Sequence, residues 1–261
     1  KDNKIHNLES NKINIINVDY NFKRPFEKIS SKSNQYILEC FKRGILIAKN
    51  FKIAGLINGP ISKKTFLTNK FKGITEFLSN EFKIKDKFAM LIFNKKISVC
   101  PVTTHLPISK VSKEISKKRI ILKSILINNF FKKYFDKKPN IAVCGLNPHC
   151  ENFFYKSEED KIIKPAINFL NKKKLNLKGP FPADTIFLKN NRFKFNIILG
   201  MYHDQVLTPI KTLFEYDAIN ITMGLPFLRI TPDHGPNERM FGQNKSNPLS
   251  LVQALKFLDK R

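Results

Sequence analysis

The stretch FNIILGMYHDQ, residues 195–205, joins an apolar run to a polar turn that carries a histidine and an aspartate. Its apolar part, Phe195 to Met201, has the length and composition of a buried strand, and the pattern predicts a short helix after the turn. Two other apolar runs lead into similar turns, TTH ending at His105 and NPH ending at His149. Strands that open into polar loops in this way are typical of an open α/β sheet.

Outward from this stretch, apolar runs alternate with amphipathic segments along the chain. The predicted strands are Ile53 to Ile57, Ala89 to Phe93, Ile97 to Val102, Ile141 to Leu146, Phe195 to Met201 and Ala218 to Met223. The second and third of these are linked as in a hairpin. The predicted helices are Asn34 to Asn50, one long helix with Val111, Ile115, Leu122 and Ile125 on a single stripe, Glu158 to Lys173 behind a capping box at Ser157 and Asp160, and a terminal helix from Leu249. This alternation predicts a largely parallel sheet covered by helices on both faces.

The bulk composition is that of a globular protein. The chain has 261 residues, 42% of them hydrophobic, so it can bury a core of ordinary size. Lysine interrupts every apolar run well short of the roughly 18 to 20 residues that a membrane helix needs, and the start of the chain lacks the apolar segment of a secretory signal. The four cysteines, Cys40, Cys100, Cys144 and Cys150, lack zinc-finger spacing and are expected to be reduced thiols. We expect a cytoplasmic protein without a membrane segment.

The charge balance leaves two interpretations open. With 47 basic and 21 acidic residues the formal charge is +26, which is compatible with a nucleic-acid-binding protein. However, the lysines are spread along the whole chain and no nucleic-acid-binding motif accompanies them. We therefore expect no nucleic-acid partner, and we expect the positive field to attract small anionic substrates such as phosphorylated compounds.

The three histidines at strand ends form the first candidate site. Ligands of open α/β sheets bind at the carboxyl ends of the strands, so His105, His149 and His203 can converge there. Three imidazoles suit zinc, cobalt, nickel or iron and leave positions open for a substrate. Asp204 could be a further ligand, an orienting group or a base. Taken singly, each histidine could equally be an ordinary loop or core residue.

A second group of polar residues follows His203. Lys211 and Arg229 could hold a phosphate or carboxylate, and Asn220 could bind a hydroxyl or a phosphate oxygen. In so basic a chain these residues could also be solvated surface groups. Neither GxGxxG nor GxxxxGK[ST] occurs, so a dinucleotide would have to bind in another way.

Six motifs in order identify a family. They are TTHLP (103–107), LNPH (146–149), GPFPADT (179–185), MYHDQ (201–205), NITMGLPFLR (220–229) and DHG (233–235). They resemble successive signatures of the 4-hydroxythreonine-4-phosphate dehydrogenase family of vitamin B6 biosynthesis. The resemblance implies a fold like isocitrate and isopropylmalate dehydrogenases, a three-layer α/β/α arrangement with two interleaved subdomains. It also implies a homodimer with the active site at the interface.

The resemblance also implies roles for individual residues. It places one divalent metal, Zn, Co, Mn or Mg, on His105, His149 and His203, assigns substrate binding to Thr75, Lys211, Asn220 and Arg229, and gives catalytic roles to His203, Asp204 and Lys211. The segment that contains His234, Gly235 and Asn247 resembles the adenosine-binding loop of the wider dehydrogenase group. NAD is the implied cofactor, with NADP as the alternative.

The implied reaction is oxidation of the C3 hydroxyl of 4-hydroxy-L-threonine 4-phosphate, followed by decarboxylation to 3-amino-2-oxopropyl phosphate. The product would pass to pyridoxine 5'-phosphate synthase. A dehydrogenase of a related four-carbon sugar acid phosphate, erythronate or threonate 4-phosphate, is an alternative, and a catalytically inactive relative is another.

Three departures from the family pattern bear on these expectations. Ile74, in Gly73 to Glu76, stands where the family has a substrate-contacting histidine. The segment from Cys150 to Tyr155 replaces a glycine-rich loop, and it predicts a bulkier, stiffer loop, so a role for this loop in covering the substrate does not carry over from the family. The family's N-terminal strand and GDPxGIGPE segment are absent, so we expect residues 1–261 to be one catalytic domain from a longer protein.

Overall fold

The computed structural model describes residues 8–9, 11–66, 74–84, 87–150 and 157–260. In these residues eight strands form one sheet with the order β1-β8-β7-β2-β3-β6-β4-β5. The strands are β1 Leu56–Ile57, β2 Ala89–Phe93, β3 Ser98–Pro101, β4 Asn140–Cys144, β5 Asn176–Phe181, β6 Ile197–Gly200, β7 Ile219–Met223 and β8 Arg229–Pro232. All six predicted strands are present, although the first is reduced to two residues.

The sheet is mixed, which corrects the expectation of a largely parallel one. Four strand pairings are parallel and three are antiparallel. The antiparallel pairings all involve β2 or β7, and the predicted β2–β3 hairpin is confirmed, with Ile92 opposite Val99. The parallel expectation is correct for the half of the sheet formed by β3, β6, β4 and β5.

Helices cover both faces of this sheet. They are α1 Asn34–Asn50, α2 Lys63–Phe66, α3 Ile74–Glu81, α4 Ile108–Glu114, α5 Lys117–Phe135, α6 Lys164–Lys172, α7 Ala183–Ile186, α8 Lys189–Arg192, α9 His203–Phe214 and α10 Leu249–Leu258. Along β6, Ile197 and Leu199 join one buried cluster with residues of α5, α6 and α10. Ile198, between them, joins a second cluster with residues of α7 and α9. Since neighbouring strand residues point to opposite faces, the architecture has three layers and the predicted fold class is confirmed.

The predicted long helix is interrupted. Ile115 and Ser116 have extended backbone angles, and α5 begins after Ser116, whose hydroxyl accepts a hydrogen bond from the Arg119 N–H at 3.3 Å. The prediction of a single apolar stripe is therefore wrong beyond the break, where Ile125 is 39% exposed. The buried side of α5 instead carries Ile120, Ile127, Phe130 and Phe131. Because Ser116 caps the start of a separate helix, the buried positions of α5 do not continue the spacing of the buried positions of α4.

Two strands, β5 and β8, were not predicted. Both contain a proline, which removes a backbone donor and usually argues against a strand. Pro180 is tolerated because β5 lies at the edge of the sheet. The predicted helix from Glu158 to Lys173 is also modified, since it begins with a π-helical turn, Glu159–Ile163, before α6. None of the helices in the described part of the chain is long and apolar enough to cross a membrane.

Candidate active site at the carboxyl edge of the sheet

The three predicted histidines follow three adjacent parallel strands. His105 follows β3, His149 follows β4 and His203 begins α9 after β6, and β6 lies between β3 and β4. The carboxyl ends of parallel strands meet at one edge of a sheet. The topology therefore places all three histidine loops at the same edge, as the sequence predicted.

One cavity at this edge contains most of the predicted site residues. It has a volume of about 230 Å³. The rings of His105 and His203 are neighbours in its wall, with centroids 5.9 Å apart. The predicted residues that line it are Thr75, His105, His203, Asn220, Arg229, His234 and Gly235. Ile74 and Leu207 make part of the wall apolar.

His149 is not part of this cavity wall. Its side chain is 61% exposed, and its Nδ1 lies 3.9 Å from a carboxylate oxygen of Asp184. Over the described ranges, no three histidine, cysteine, aspartate or glutamate side chains are close enough together to hold a metal ion. One chain thus brings two of the three predicted ligands together, and the donor type, adjacent imidazoles, fits a transition metal or zinc.

A carboxylate lies near each of the two neighbouring histidines. His203 Nδ1 is 2.6 Å from Oδ1 of Asp204, whose side chain is 80% exposed. His105 has a left-handed backbone, φ 49°, and its Nδ1 is 3.7 Å from Oε1 of Glu76. Imidazoles that act as ligands commonly have such a carboxylate partner on the second ring nitrogen.

Arg229 lies at the start of β8, and only 3% of its surface is exposed. Its Nε donates to Oδ1 of Asn58 at 2.8 Å, and its Nη1 donates to the hydroxyl of Thr222 at 2.9 Å. That hydroxyl is 3.5 Å from the hydroxyl of Thr75. Burial lowers the pKa of the Arg229 guanidinium, and the nearby Glu76 carboxylate opposes this shift. The result is a fixed cationic wall beside two hydroxyls, which suits a phosphate.

Lys211 reaches the cavity through Asp233. Lys211 does not line the cavity, but Asp233 does. The Nζ of Lys211 lies 2.6 Å from Oδ2 of Asp233. Burial raises the pKa of the Asp233 carboxyl, and Lys211, His203 and His234 oppose the shift. In the same cavity, Oδ1 of Asn220 is buried and has no hydrogen-bond partner among the described residues. A buried amide oxygen in this state is available to a donor on a bound molecule.

The predicted cofactor residues separate into two places. His234 and Gly235 line the cavity, and His234 Nδ1 is 2.8 Å from the carbonyl oxygen of Gly235. Asn247 is not part of the cavity wall. Its side-chain oxygen accepts the Leu249 N–H at 2.9 Å, at the start of α10.

The structure also locates the departures from the family pattern. Ile74 is 7% exposed, packs in a hydrophobic cluster with Phe41 and Phe77, and forms part of the cavity wall. Gly73 and the segment 151–156 lie outside the described residues.

The sequence patterns did not single out Asn58, Glu76 or Glu159, which contact Arg229, His105 and the loop before His149, respectively. Asn58 and Glu76 follow no recognisable spacing relative to their partners. Glu159 stands beside another glutamate at the start of a predicted helix, where an acidic residue is expected to act on the helix dipole alone. The signals that identify these residues are contacts across the fold.

The sequence is similar to known proteins over most of its length. The sequence model of the pyridoxal phosphate biosynthetic protein PdxA matches residues 1–258. A 4-hydroxythreonine-4-phosphate dehydrogenase from Sulfurihydrogenibium sp. is 38% identical over 93% of this chain and 74% of its own length. A D-threonate 4-phosphate dehydrogenase from Salmonella typhimurium is 32% identical over 88% of this chain and 71% of its own length.

Solved structures show the same fold. A 4-hydroxythreonine-4-phosphate dehydrogenase from Klebsiella pneumoniae superposes with a TM-score of 0.78 at 28% identity, over 91% of this chain and 73% of its own. An isocitrate dehydrogenase from Methylococcus capsulatus superposes with a TM-score of 0.50 at 7% identity, over 77% of this chain and 66% of its own. The second likeness concerns the fold alone, and it agrees with the expected dehydrogenase architecture.

Proposed function

The chain belongs to the pyridoxal phosphate biosynthetic protein PdxA family, and from that premise we propose that it is a metal-dependent, NAD-linked 4-hydroxythreonine-4-phosphate dehydrogenase. The observation that carries the proposal is that two adjacent imidazoles, a buried arginine and a partnerless buried amide oxygen line one cavity. A substrate that carries both a phosphate and an oxidisable hydroxyl matches this lining. The arginine would bind the phosphate, and the imidazoles would hold a metal near the hydroxyl.

The phosphate is assigned to the end of the cavity that Arg229 and Thr75 form. The guanidinium is already oriented by Asn58 and Thr222, so little side-chain freedom is lost when an anion binds. The Asn220 amide would meet a donor of the substrate. These contacts would align the substrate before reaction.

The reacting hydroxyl would lie against His105 and His203, which line the same cavity. A bound divalent metal would supply Lewis-acid stabilisation of negative charge on a substrate oxygen. In this chain the Asp204 carboxylate would orient the His203 ring, and the Lys211–Asp233 pair would exchange a proton with the substrate. The cofactor would lie along His234 and Gly235.

The third imidazole is assigned to a second copy of the chain. His149 does not line the cavity of its own chain, is mostly exposed, and follows a strand that ends at the same edge of the sheet. In a homodimer with the active site at the interface, the partner copy would complete a three-histidine site. The proposed reaction ends with loss of carbon dioxide, giving 3-amino-2-oxopropyl phosphate for the next enzyme, a pyridoxine 5'-phosphate synthase in the cytoplasm.

A dehydrogenase of D-threonate 4-phosphate or its erythronate isomer is the second candidate. Ile74 keeps this candidate open, because the wall carries an apolar side chain where the family has a substrate-contacting histidine, and a relative of 32% identity is named D-threonate 4-phosphate dehydrogenase. These sugar acids differ from the first substrate by a hydroxyl in place of that amino group.

The test is NADH formation by the full chain from the three phosphorylated substrates, with a divalent metal and then with a chelator. We expect chelator-sensitive turnover, and we expect the variant His203→Ala to lose it while remaining folded, since His203 is partly exposed. Turnover that persists without metal would contradict the metal-dependent mechanism. The ratio of kcat/KM among the substrates decides between the two candidates.

A further inference from the structure

A carboxylate outside the cavity is buried beside the loop that carries His149. Glu159 is 0% exposed and lies at the start of the π-helical turn Glu159–Ile163. Burial of a carboxylate costs several kcal/mol or more unless it is well hydrogen-bonded. Single π-helical turns within helices frequently occur at functional sites.

The loop itself supplies the hydrogen bonds. Oε1 of Glu159 accepts the backbone N–H groups of Leu146 and Asn147 at 2.8 and 2.9 Å, and Oε2 accepts the side-chain amide of Asn147 at 2.8 Å. Burial alone would raise the pKa of Glu159, but these hydrogen bonds outweigh it and lower the pKa. The carboxylate is therefore ionised and fully engaged with two consecutive residues of the loop.

The loop then adopts an unfavourable backbone. His149 and Cys150 are consecutive residues with φ of 58° and 56°, the left-handed region that non-glycine residues rarely adopt. Such a conformation persists only where surrounding contacts impose it. At Gly145 an added Cβ would lie 3.0 Å from Glu159 Oε1 and 2.5 Å from Cys150 Sγ, so the loop closes against the carboxylate only with glycine there.

Gln205 connects this loop to the other histidine loops. Its side-chain amide donates to the Gly145 carbonyl at 2.7 Å, and its oxygen accepts the Met201 N–H at 2.7 Å. The Thr103 hydroxyl donates to the Met201 carbonyl at 2.8 Å. The loops that carry His105, His149 and His203 thus form one hydrogen-bonded unit, and Glu159 anchors the loop that carries His149.

We propose that Glu159 is a positioning residue that fixes the loop 145–149 and thereby holds His149 in the orientation required for metal binding. The proposal rests on the proposed function, because it requires that His149 is a metal ligand. Glu159 touches neither the cavity nor a histidine ring, so its effect is exerted through the loop alone.

The test measures the affinity of the full-length chain for Co²⁺ by titration, together with the visible spectrum of the bound ion. Glu159→Gln places an amide donor opposite the Asn147 amide donor, so we expect affinity to fall by about 10- to 100-fold, as for other groups that orient metal ligands. The spectrum should change, because cobalt absorption reports the number and geometry of the ligands. Asp160→Asn is the matched control. It makes the same acid-to-amide change on the same turn, weakens the ion pair that Asp160 forms with Lys164, and should leave the affinity unchanged.

A double-mutant cycle with His149→Ala separates positioning from a general loss of structure. If Glu159 acts through His149, then Glu159→Gln has no further effect on cobalt affinity once His149 is removed. Equal losses in both backgrounds, or wild-type affinity in Glu159→Gln, would overturn the proposal. Glu159→Asp, which keeps the charge but is too short to reach the loop equally, should also bind cobalt more weakly if Glu159→Gln does not fold. A wild-type chain that binds no cobalt would overturn the proposed metal site itself.

Discussion

At the scale of the residue, Arg229 shows how a surface-type side chain becomes a fixed element of a site. It enters β8 opposite Thr222 of β7, and the pairing of these strands buries its guanidinium between Asn58 and Thr222. An arginine held in this way presents a preset pair of N–H groups, which a lysine ammonium cannot reproduce.

We therefore predict that Arg229→Lys raises KM for the phosphorylated substrate by about 10- to 100-fold, the range expected for lost hydrogen bonds to a charged group. The KM of an unphosphorylated analogue should change much less. Steady-state kinetics on both compounds measures the difference. Arg119→Lys is the control, since Arg119 is partly exposed and pairs with Glu114 at the surface. Equal losses for both compounds would argue against a phosphate role.

At the scale of the element, the β7–β8 turn determines which residues face the cavity. It sets Arg229 opposite Thr222, while β7 is also paired with β2, where Ala89 is opposite Met223. Gly224 makes this turn possible: its φ is 98°, and an added Cβ would lie 2.2 Å from the carbonyl oxygen of Lys87. The turn therefore packs directly against the backbone just before β2.

We predict that Gly224→Ala lowers the free energy of unfolding by at least about 1 kcal/mol, because backbone strain of about 1 to 3 kcal/mol and a clash with the Lys87 carbonyl act together. Chemical denaturation measures the change. Gly59→Ala is the matched control, as no atom lies within 4 Å of its added Cβ, and its stability should be close to that of the unchanged chain. Similar stabilities for the two variants would contradict this account of the turn.

At the scale of the whole molecule, the position of His149 makes a shared active site testable. If each site combines His105 and His203 of one protomer with His149 of its partner, then a dimer of His105→Ala and His149→Ala chains contains one intact site. Random pairing makes half of all dimers mixed, so about a quarter of the original activity should return.

Activity after co-refolding or co-expression of the two inactive chains measures this recovery. His105→Ala with His203→Ala is the control pair. Those two histidines lie in the same cavity wall, so no mixed dimer would contain an intact site and no activity should return. Failure of the first pair to recover would contradict a site shared between the two copies.

Several features of this protein follow from local sequence. The helix Asn34–Asn50 and the strand Ala89–Phe93 have the bounds that their patterns predicted, because their signals lie in residues adjacent in the chain. The strand-to-histidine junctions are local for the same reason. The ordered motifs were sufficient to identify the family, since each is a short stretch of the chain.

Other features depend on contacts between distant residues. The strands β5 and β8 form despite their prolines because the sheet provides partners and an edge. Only the fold shows that His105 and His203 are adjacent while His149 faces Asp184. Only the fold likewise shows the contacts of Glu159, which accepts hydrogen bonds from residues 12 and 13 positions away. Sequence pattern determines which segments become strands, helices and polar loops, whereas packing and long-range hydrogen bonds decide which of their side chains meet.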